Sequence, residues 1–294
     1  MIGCYTNGNY TVTIYEDGTK VKETQCDEFI AEFPESMDVK ITNYCDLNCP
    51  YCHEYSTTDG KHADLLDLKF INTLRPYTEM AIGGGNPLSH PDLIPWLEKL
   101  RDRKIIANMT VNQRHFMANL PLIKKLVDEK LIHGLGVSFF TYDEEFIKEL
   151  QKYPNAVLHI INGLIDYESL QNMYGKGIKL LILGYKQFRK GNSYLAVHGS
   201  DIRAKQQMMY NHFYSILRGF KVVSFDNLAL KQLNVKSLLP EKIWNQFYQG
   251  DDGSHTMYID LVNRHFALNS TSGVIFNLQD SIDDMFKIIN GVRI

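Results

Sequence analysis

No hydrophobic run in this sequence approaches the ~20 residues that a membrane-spanning helix needs. The first residues, Met1-Ile2-Gly3-Cys4-Tyr5, also lack the basic stretch followed by an apolar one that marks a secretory signal. The expected compartment is therefore the cytoplasm. An excess of charge is missing too: 31 Lys and Arg against 34 Asp and Glu leave a formal net charge of −3. That is too small to draw the chain as a whole to nucleic acid or to an anionic membrane, and neither is expected as a partner. There is no low-complexity tract and no solenoid repeat, which excludes linker-like and array-like organisation. Cysteine is scarce at 5 residues, an odd number that makes a poor disulfide framework. What the chain does have is 44% hydrophobic residues, 12% of the total being aromatic, enough to bury a large core.

Residues 1–34 alternate β-formers with turn residues. Tyr10-Thr11-Val12-Thr13-Ile14-Tyr15, Glu16-Asp17-Gly18 and Thr19-Lys20-Val21-Lys22 predict a β-hairpin on an Asp-Gly turn. From 35 to 224 short apolar runs alternate with amphipathic helices. The expected strands are Val39–Ile41, Met80–Ile82, Ile105–Val111, Leu135–Ser138, Val157–Ile161 and Lys179–Leu183. Helical spacing is clearest at Leu93, Trp96, Leu97 and Leu100 behind a cap at Asp92, and Leu122, Ile123, Leu126 and Val127 repeat it. Such βα units in series predict an α/β fold, a partial (β/α)6 TIM-like barrel with its chemistry at the C-terminal ends of the strands. Residues 225–294 break the alternation: a short helix near Pro240–Phe247, paired strands at Thr256–Asp260 and Arg264–Leu268, and a helix with Ile282, Met285, Phe286 and Ile289 on one face. This stretch is short for a core of its own, so an α+β cap packed on the barrel is expected.

Three cysteines crowd into Asn43-Tyr44-Cys45-Asp46-Leu47-Asn48-Cys49-Pro50-Tyr51-Cys52, directly after the first barrel strand. The spacing is C-x3-C-x2-C. A compact loop of this kind can present three thiolates to three irons of a cubane, leaving a fourth iron open to a cofactor or substrate. The alternatives are a partial zinc site, which needs a fourth ligand such as the adjacent His53, and simple buried thiols. At these residues the chain resembles the radical S-adenosylmethionine (radical SAM) superfamily, whose signature is C-x3-C-x-aromatic-C, with Tyr51 in the aromatic position. The resemblance implies a [4Fe–4S] cluster on Cys45, Cys49 and Cys52, S-adenosylmethionine bound at the open iron, and Tyr51 near the adenine. It also implies reductive cleavage of that cofactor to a 5′-deoxyadenosyl radical that abstracts hydrogen from substrate, and an electron donor such as flavodoxin or ferredoxin.

After the second expected strand, Gly83-Gly84-Gly85-Asn86-Pro87-Leu88 is similar to the family's Gly-Gly-Glu-Pro motif. That likeness places Gly84, Gly85 and Asn86 against the methionyl ammonium. Asn86 stands where the family has glutamate and brings no charge, and a plain tight turn is the other reading. Thr110, Asn112 and Ser138 occupy strand-end places where the family draws ribose and carboxylate contacts, and they serve equally well as ordinary strand-end polar residues.

The loop Gly184–Gly191, with Lys186, Arg189 and Lys190, can anchor a carboxylate or phosphate. Gly250-Asp251-Asp252-Gly253 and Asp260 can contact a basic substrate, and both stretches read equally as solvated turns. No cysteine follows Cys52, so auxiliary clusters are not expected, and Cys4 and Cys26 read as small hydrophobes. No histidine spacing suggests a second metal. The substrate stays open among small metabolite, nucleotide and peptide, and a non-catalytic iron–sulfur redox or iron sensor on the same barrel is the rival function.

Overall fold

The computed structural model describes residues 1–292. Strands β1 (Gly3–Asn7), β2 (Tyr10–Ile14) and β3 (Lys20–Thr24) form an antiparallel sheet in that order. The expected hairpin is β2–β3, turned where Gly18 takes a φ of 87°, and β1 joins it as a third strand.

The second sheet is built from β4 (Ser36–Thr42), β5 (Glu79–Gly84), β6 (Ile106–Asn112), β7 (Gly134–Ser138), β8 (Ala156–Ile161), β9 (Lys179–Leu183), β10 (Val222–Phe225), β11 (Thr256–Asp260), β12 (His265–Ala267) and β13 (Ile275–Asn277). Its order is β10-β9-β8-β7-β6-β5-β4-β11-β12-β13. Pairing is parallel from β10 to β11 and antiparallel from β11 to β13. The end strands β10 and β13 do not pair with each other among the described residues, so the fold is an open, partial α/β barrel.

Alternation along β4 shows how the sequence sets the two faces. Met37, Val39 and Ile41 are buried in the main core with Met80 and Ile82 of β5, whereas Asp38, Lys40 and Thr42 face the concave side. The helix Leu93–Asp102 adds Leu93, Trp96, Leu97 and Leu100 to that core, each such side chain contributing about 1.5–3 kcal/mol of burial. Asp92 holds the N-cap position of this helix but makes no side-chain cap bond; its backbone N–H donates instead to His90 Nδ1 at 3.1 Å.

The C-terminal stretch enters the same sheet. β11 lies parallel to β4, with Thr256 opposite Ser36 and Asp260 opposite Lys40, and the final helix Ile282–Gly291 buries Ile282, Met285, Phe286 and Ile289. At the other end of the strands the β1–β3 sheet closes the barrel floor. Tyr10, Val12 and Ile14 pack on Ile106, Asn155 Nδ2 donates to the Glu16 carbonyl at 2.8 Å, and Lys179 Nζ donates to the Asp17 carbonyl at 2.9 Å. Buried Glu35 ties the two sheets together, accepting from Tyr10 OH at 2.6 Å and pairing with Lys22 at 2.9 Å and Lys20 at 3.4 Å. No helix among the described residues is long and apolar enough to cross a membrane.

Candidate active site

The cysteine loop leaves β4 at its C-terminal end and is tied shut at its base. Cys45 N–H donates to the Thr57 carbonyl at 2.9 Å, Thr57 N–H to Asn43 at 3.0 Å, and Asn43 N–H to Lys61 at 2.9 Å. Gly60 is required there, because a Cβ would meet the Asn43 carbonyl oxygen at 2.0 Å. Within the loop, Asn48 and Tyr55 adopt left-handed φ values of 47° and 56°. The three cysteines are free and half-buried. Burial raises the pKa of Cys45 and Cys49, and the charges of Asp46 and Cys52 on the first and of Cys52 and Cys45 on the second raise them further, so these two are neutral thiols that a metal must deprotonate on binding.

The donor set, three thiols on one short loop, suits an iron–sulfur cubane, which takes such sulfurs on separate irons. Cys45 also lies close to Asp46 and His115, the ligating atoms of the three being within 4.8 Å of one another. His53, the expected fourth zinc ligand, lies instead between Glu54 (3.2 Å) and Lys186 (3.2 Å).

Two flanks clasp the loop. On one side buried His115 meets Asp46 at 2.6 Å. On the other, Arg189 donates to the Glu54 carbonyl at 2.7 Å, Lys190 to Asn48 at 2.6 Å, and the Tyr194 ring stands edge-on to Tyr51. Tyr51, pushed up to about 12 by burial and by Cys49, lines a cavity of about 220 Å³ with Phe139, Phe140, Ile160, Ile161 and Tyr194. Arg114 stacks on Phe140 at 3.7 Å, and its charge favours the thiolate of Cys49.

The glycine loop does something the sequence reading did not foresee. A Cβ on Gly85 would meet the Tyr44 carbonyl at 2.0 Å, and one on Gly84, at φ 120°, the Thr42 carbonyl at 2.5 Å. These two glycines let the cysteine loop's stem lie against the second strand, sealed by Gly85 N–H to Thr42 O (2.8 Å) and Asn86 N–H to Tyr44 O (2.6 Å). Gly83 is the one with open space before it. Asn86 Oδ1 accepts from Leu88 N–H at 3.2 Å, capping the short turn Pro87–Ser89. Asn112 likewise caps the helix Gln113–Ala118 through Arg114 N–H. Thr110 and Ser138 lie on the concave face, Thr110 beside Gly136 and Ser138 between Asn112 and His159 in register.

That concave face holds polar residues the motifs did not reveal. Lys40, 2% exposed, pairs with Glu54 at 2.8 Å and Asp260 at 3.2 Å. Burial pushes Glu54 upward, but His53 and Lys40 more than reverse it and hold the carboxylate well below its usual range. His159 is lowered to about 4 by burial, so it is neutral in the folded protein. A signal for Lys40 was present: a lysine inside a strand expected to be buried, in phase with Asp38 and Thr42.

The model of the radical SAM superfamily matches residues 39–173. The GTP 3′,8-cyclase of Saccharophagus degradans is 27% identical over 203 residues, 65% of this chain and 59% of that protein. A probable GTP 3′,8-cyclase of Methanocaldococcus jannaschii is 28% identical over 134 residues, 44% of each chain. The chain thus spans less than two thirds of the length of these relatives. Among solved structures, Streptococcus suis SuiB bound to S-adenosylmethionine superposes with a TM-score of 0.62 at 15% identity, covering 90% of this chain and 68% of that one.

Proposed function

For a chain whose residues 39–173 are a radical SAM domain, we propose an enzyme that cleaves S-adenosylmethionine reductively and turns the resulting radical on a substrate in the barrel's concavity. The observation that carries this reading is the loop of three free, half-buried thiols, whose Tyr51 lines a cavity with Phe139, Phe140 and Tyr194. When bound, a [4Fe–4S] cluster supplies the electron that splits the cofactor into methionine and a 5′-deoxyadenosyl radical able to remove a substrate hydrogen.

The chain's own part is to bind, orient and enclose. Cys45, Cys49 and Cys52 hold the cluster. Tyr51 and the cavity it shares with Phe139, Phe140, Ile160 and Ile161 take the adenosyl group, these side chains suiting a ring while Thr141, Asp166, Ser169 and Lys205 of the same cavity offer polar contacts. Gly83 and the backbone after β5 leave room for the methionyl end, with Thr110 and Ser138 on the neighbouring strands as further polar contacts. Asn86 contributes its remaining amide capacity, since its Oδ1 already caps a turn. Arg114 offsets charge at the thiolate loop. Lys40, Glu54 and Asp260 tie the first barrel strand, the end of the cysteine loop and β11 together. An external one-electron donor of the flavodoxin or ferredoxin type supplies the electron, and a reducing, cytoplasmic setting agrees with five free thiols.

The test is anaerobic reconstitution with iron and sulfide, then dithionite and S-adenosylmethionine, with chromatography for 5′-deoxyadenosine in wild type and Cys49→Ala. Product in the wild type and none in the variant is the expected result. A cluster that forms without cleavage favours an iron–sulfur sensor, and zinc uptake in place of iron defeats the reading.

A further inference from the structure

The two halves of the cysteine loop are held by different means. Cys45 sits at the stem, where its N–H donates to the Thr57 carbonyl and its sulfur accepts from the backbone N–H groups of Leu47 and Asn48. Between residues 46 and 55 the backbone bonds are long, with Cys52 N–H to Cys49 O at 3.2 Å and Tyr55 N–H to Cys52 O at 3.4 Å. Asn48 and Tyr55, which bracket Cys49 and Cys52, both take left-handed φ values, 47° and 56°, that a residue with a Cβ adopts at a cost. Little within this half of the loop fixes its shape.

Lys190 grips both of the left-handed residues. Its Nζ donates to Asn48 Oδ1 at 2.6 Å and lies 5.2 Å from the centre of the Tyr55 ring. Beside it, Arg189 donates to the Glu54 carbonyl at 2.7 Å. Arg189 is itself strained: it holds the first central position of the turn Phe188–Gly191, closed by Gly191 N–H to Phe188 O at 2.9 Å, with φ 50° and ψ −123°. That is the type II′ geometry that glycine dominates. Tyr185 OH fixes the turn from its far side, donating to the Gly191 carbonyl at 2.8 Å, and a Cβ on Gly191 would meet the Lys186 carbonyl oxygen at 2.2 Å. Three left-handed residues that carry side chains therefore meet at one place, joined by two cations. Such strain persists where the surroundings over-determine it, and it collects at ligand clamps. The same two cations, legible in the sequence as anchors for an anion, are engaged by the cysteine loop.

We propose that Arg189 and Lys190 are positioning residues for Cys49 and Cys52. The turn they occupy holds that half of the loop in its ligating shape before any metal arrives, and it slows the loss of a cluster once bound. The second part rests on the reading of the loop as a cluster site; the first does not.

The experiment labels the full-length, metal-free, reduced chain with iodoacetamide and follows each cysteine by mass spectrometry. Lys190→Met and Arg189→Gly are expected to speed labelling of Cys49 and Cys52 at least about five-fold, while Cys45 at the stem and the exposed Cys4 and Cys26 stay within about two-fold of wild type. Removing a cation disfavours the thiolate and by itself slows labelling, so a faster rate reports a looser loop. Lys190→Arg, which keeps the charge and a donor, is expected to restore the wild-type rates. Glycine suits the backbone geometry at 189 better than arginine does, so Arg189→Gly is expected to fold and keeps the test sharp should Lys190→Met fold poorly. In protein reconstituted with iron and sulfide, iron release to a chelator is expected to rise several-fold in both variants, and a rate unmoved in both removes the second part of the proposal. Labelling of Cys49 and Cys52 unmoved in both variants, or equal acceleration at all five cysteines, overturns the assignment. Wild-type 5′-deoxyadenosine formation is scored separately. Its absence with the labelling pattern intact removes the radical reading and leaves the positioning role standing; its presence with labelling unmoved does the reverse.

Discussion

The barrel has ionic groups at its floor and in its concavity, and they are treated in different ways. At the floor, Glu35 is matched by Lys20, Lys22 and the Tyr10 hydroxyl, each contributed by the β1–β3 sheet. In the concavity, Asp38 of β4 is exposed and makes no hydrogen bond with the protein, and His159 of β8 is kept neutral by burial. The floor cluster is satisfied from within the chain, which is the signature of a structural joint. The concavity is left short of partners, which is what a binding site looks like before its ligand arrives.

The contrast can be broken most forcefully at the floor. Glu35→Ala leaves half-buried Lys22 without its acceptor, takes one of two carboxylates from Lys20, which keeps Glu79, and removes the acceptor of the Tyr10 hydroxyl, and is expected to cost about 2–4 kcal/mol in a urea titration. A loss under about 1 kcal/mol would mean that the floor cluster is no joint. A smaller effect is expected from pH. His159 has its pKa lowered from 6.5 to about 4, so between these values the unfolded chain binds a proton that the folded one refuses. Its contribution to stability is complete above pH 6.5 and is lost as pH falls toward 4. Melting curves of His159→Gln should be flatter than wild type across that window, and parallel curves would show that the ring is solvated. The smallest effect belongs to Asp38→Asn. With its side chain exposed and without a protein partner, the substitution should change stability by less than about 0.5 kcal/mol. A larger loss of stability there would make Asp38 another structural charge and erase the difference between floor and concavity.

Much of the fold could be read from apolar runs. Lys179–Leu183 is a strand with the expected bounds, and Leu93, Trp96, Leu97 and Leu100 are buried on one helix face as their spacing requires. Three strands escaped notice, all short and edge-like: Gly3–Asn7, Val222–Phe225, which alternates exposed and half-buried residues, and Ile275–Asn277, which has three. Local pattern cannot register them because so little of each is buried. The placement of β11 beside β4 was hidden for another reason, since a pairing between distant segments leaves no trace in either one. The cysteine loop was legible because its chemistry is carried by spacing. The glycines were read in the right place with an incomplete role: their free α-carbons accommodate the backbone of Thr42 and Tyr44. The Lys40–Glu54–Asp260 set joins three separate segments, so only the fold could assemble it.

The pairing of β4 with β11 also sets a timetable for synthesis. Lys40 and the cysteine loop leave the ribosome early, while Asp260 and the strand that flanks β4 on its open side come near the C-terminal end. At ordinary translation speeds the interval is on the order of tens of seconds. Through that time the first barrel strand has an unpaired edge and a lysine with half its counter-ions. The charged set beside the cysteine loop is therefore finished last, and a nascent chain stalled before β11 exposes a sticky strand edge next to that loop.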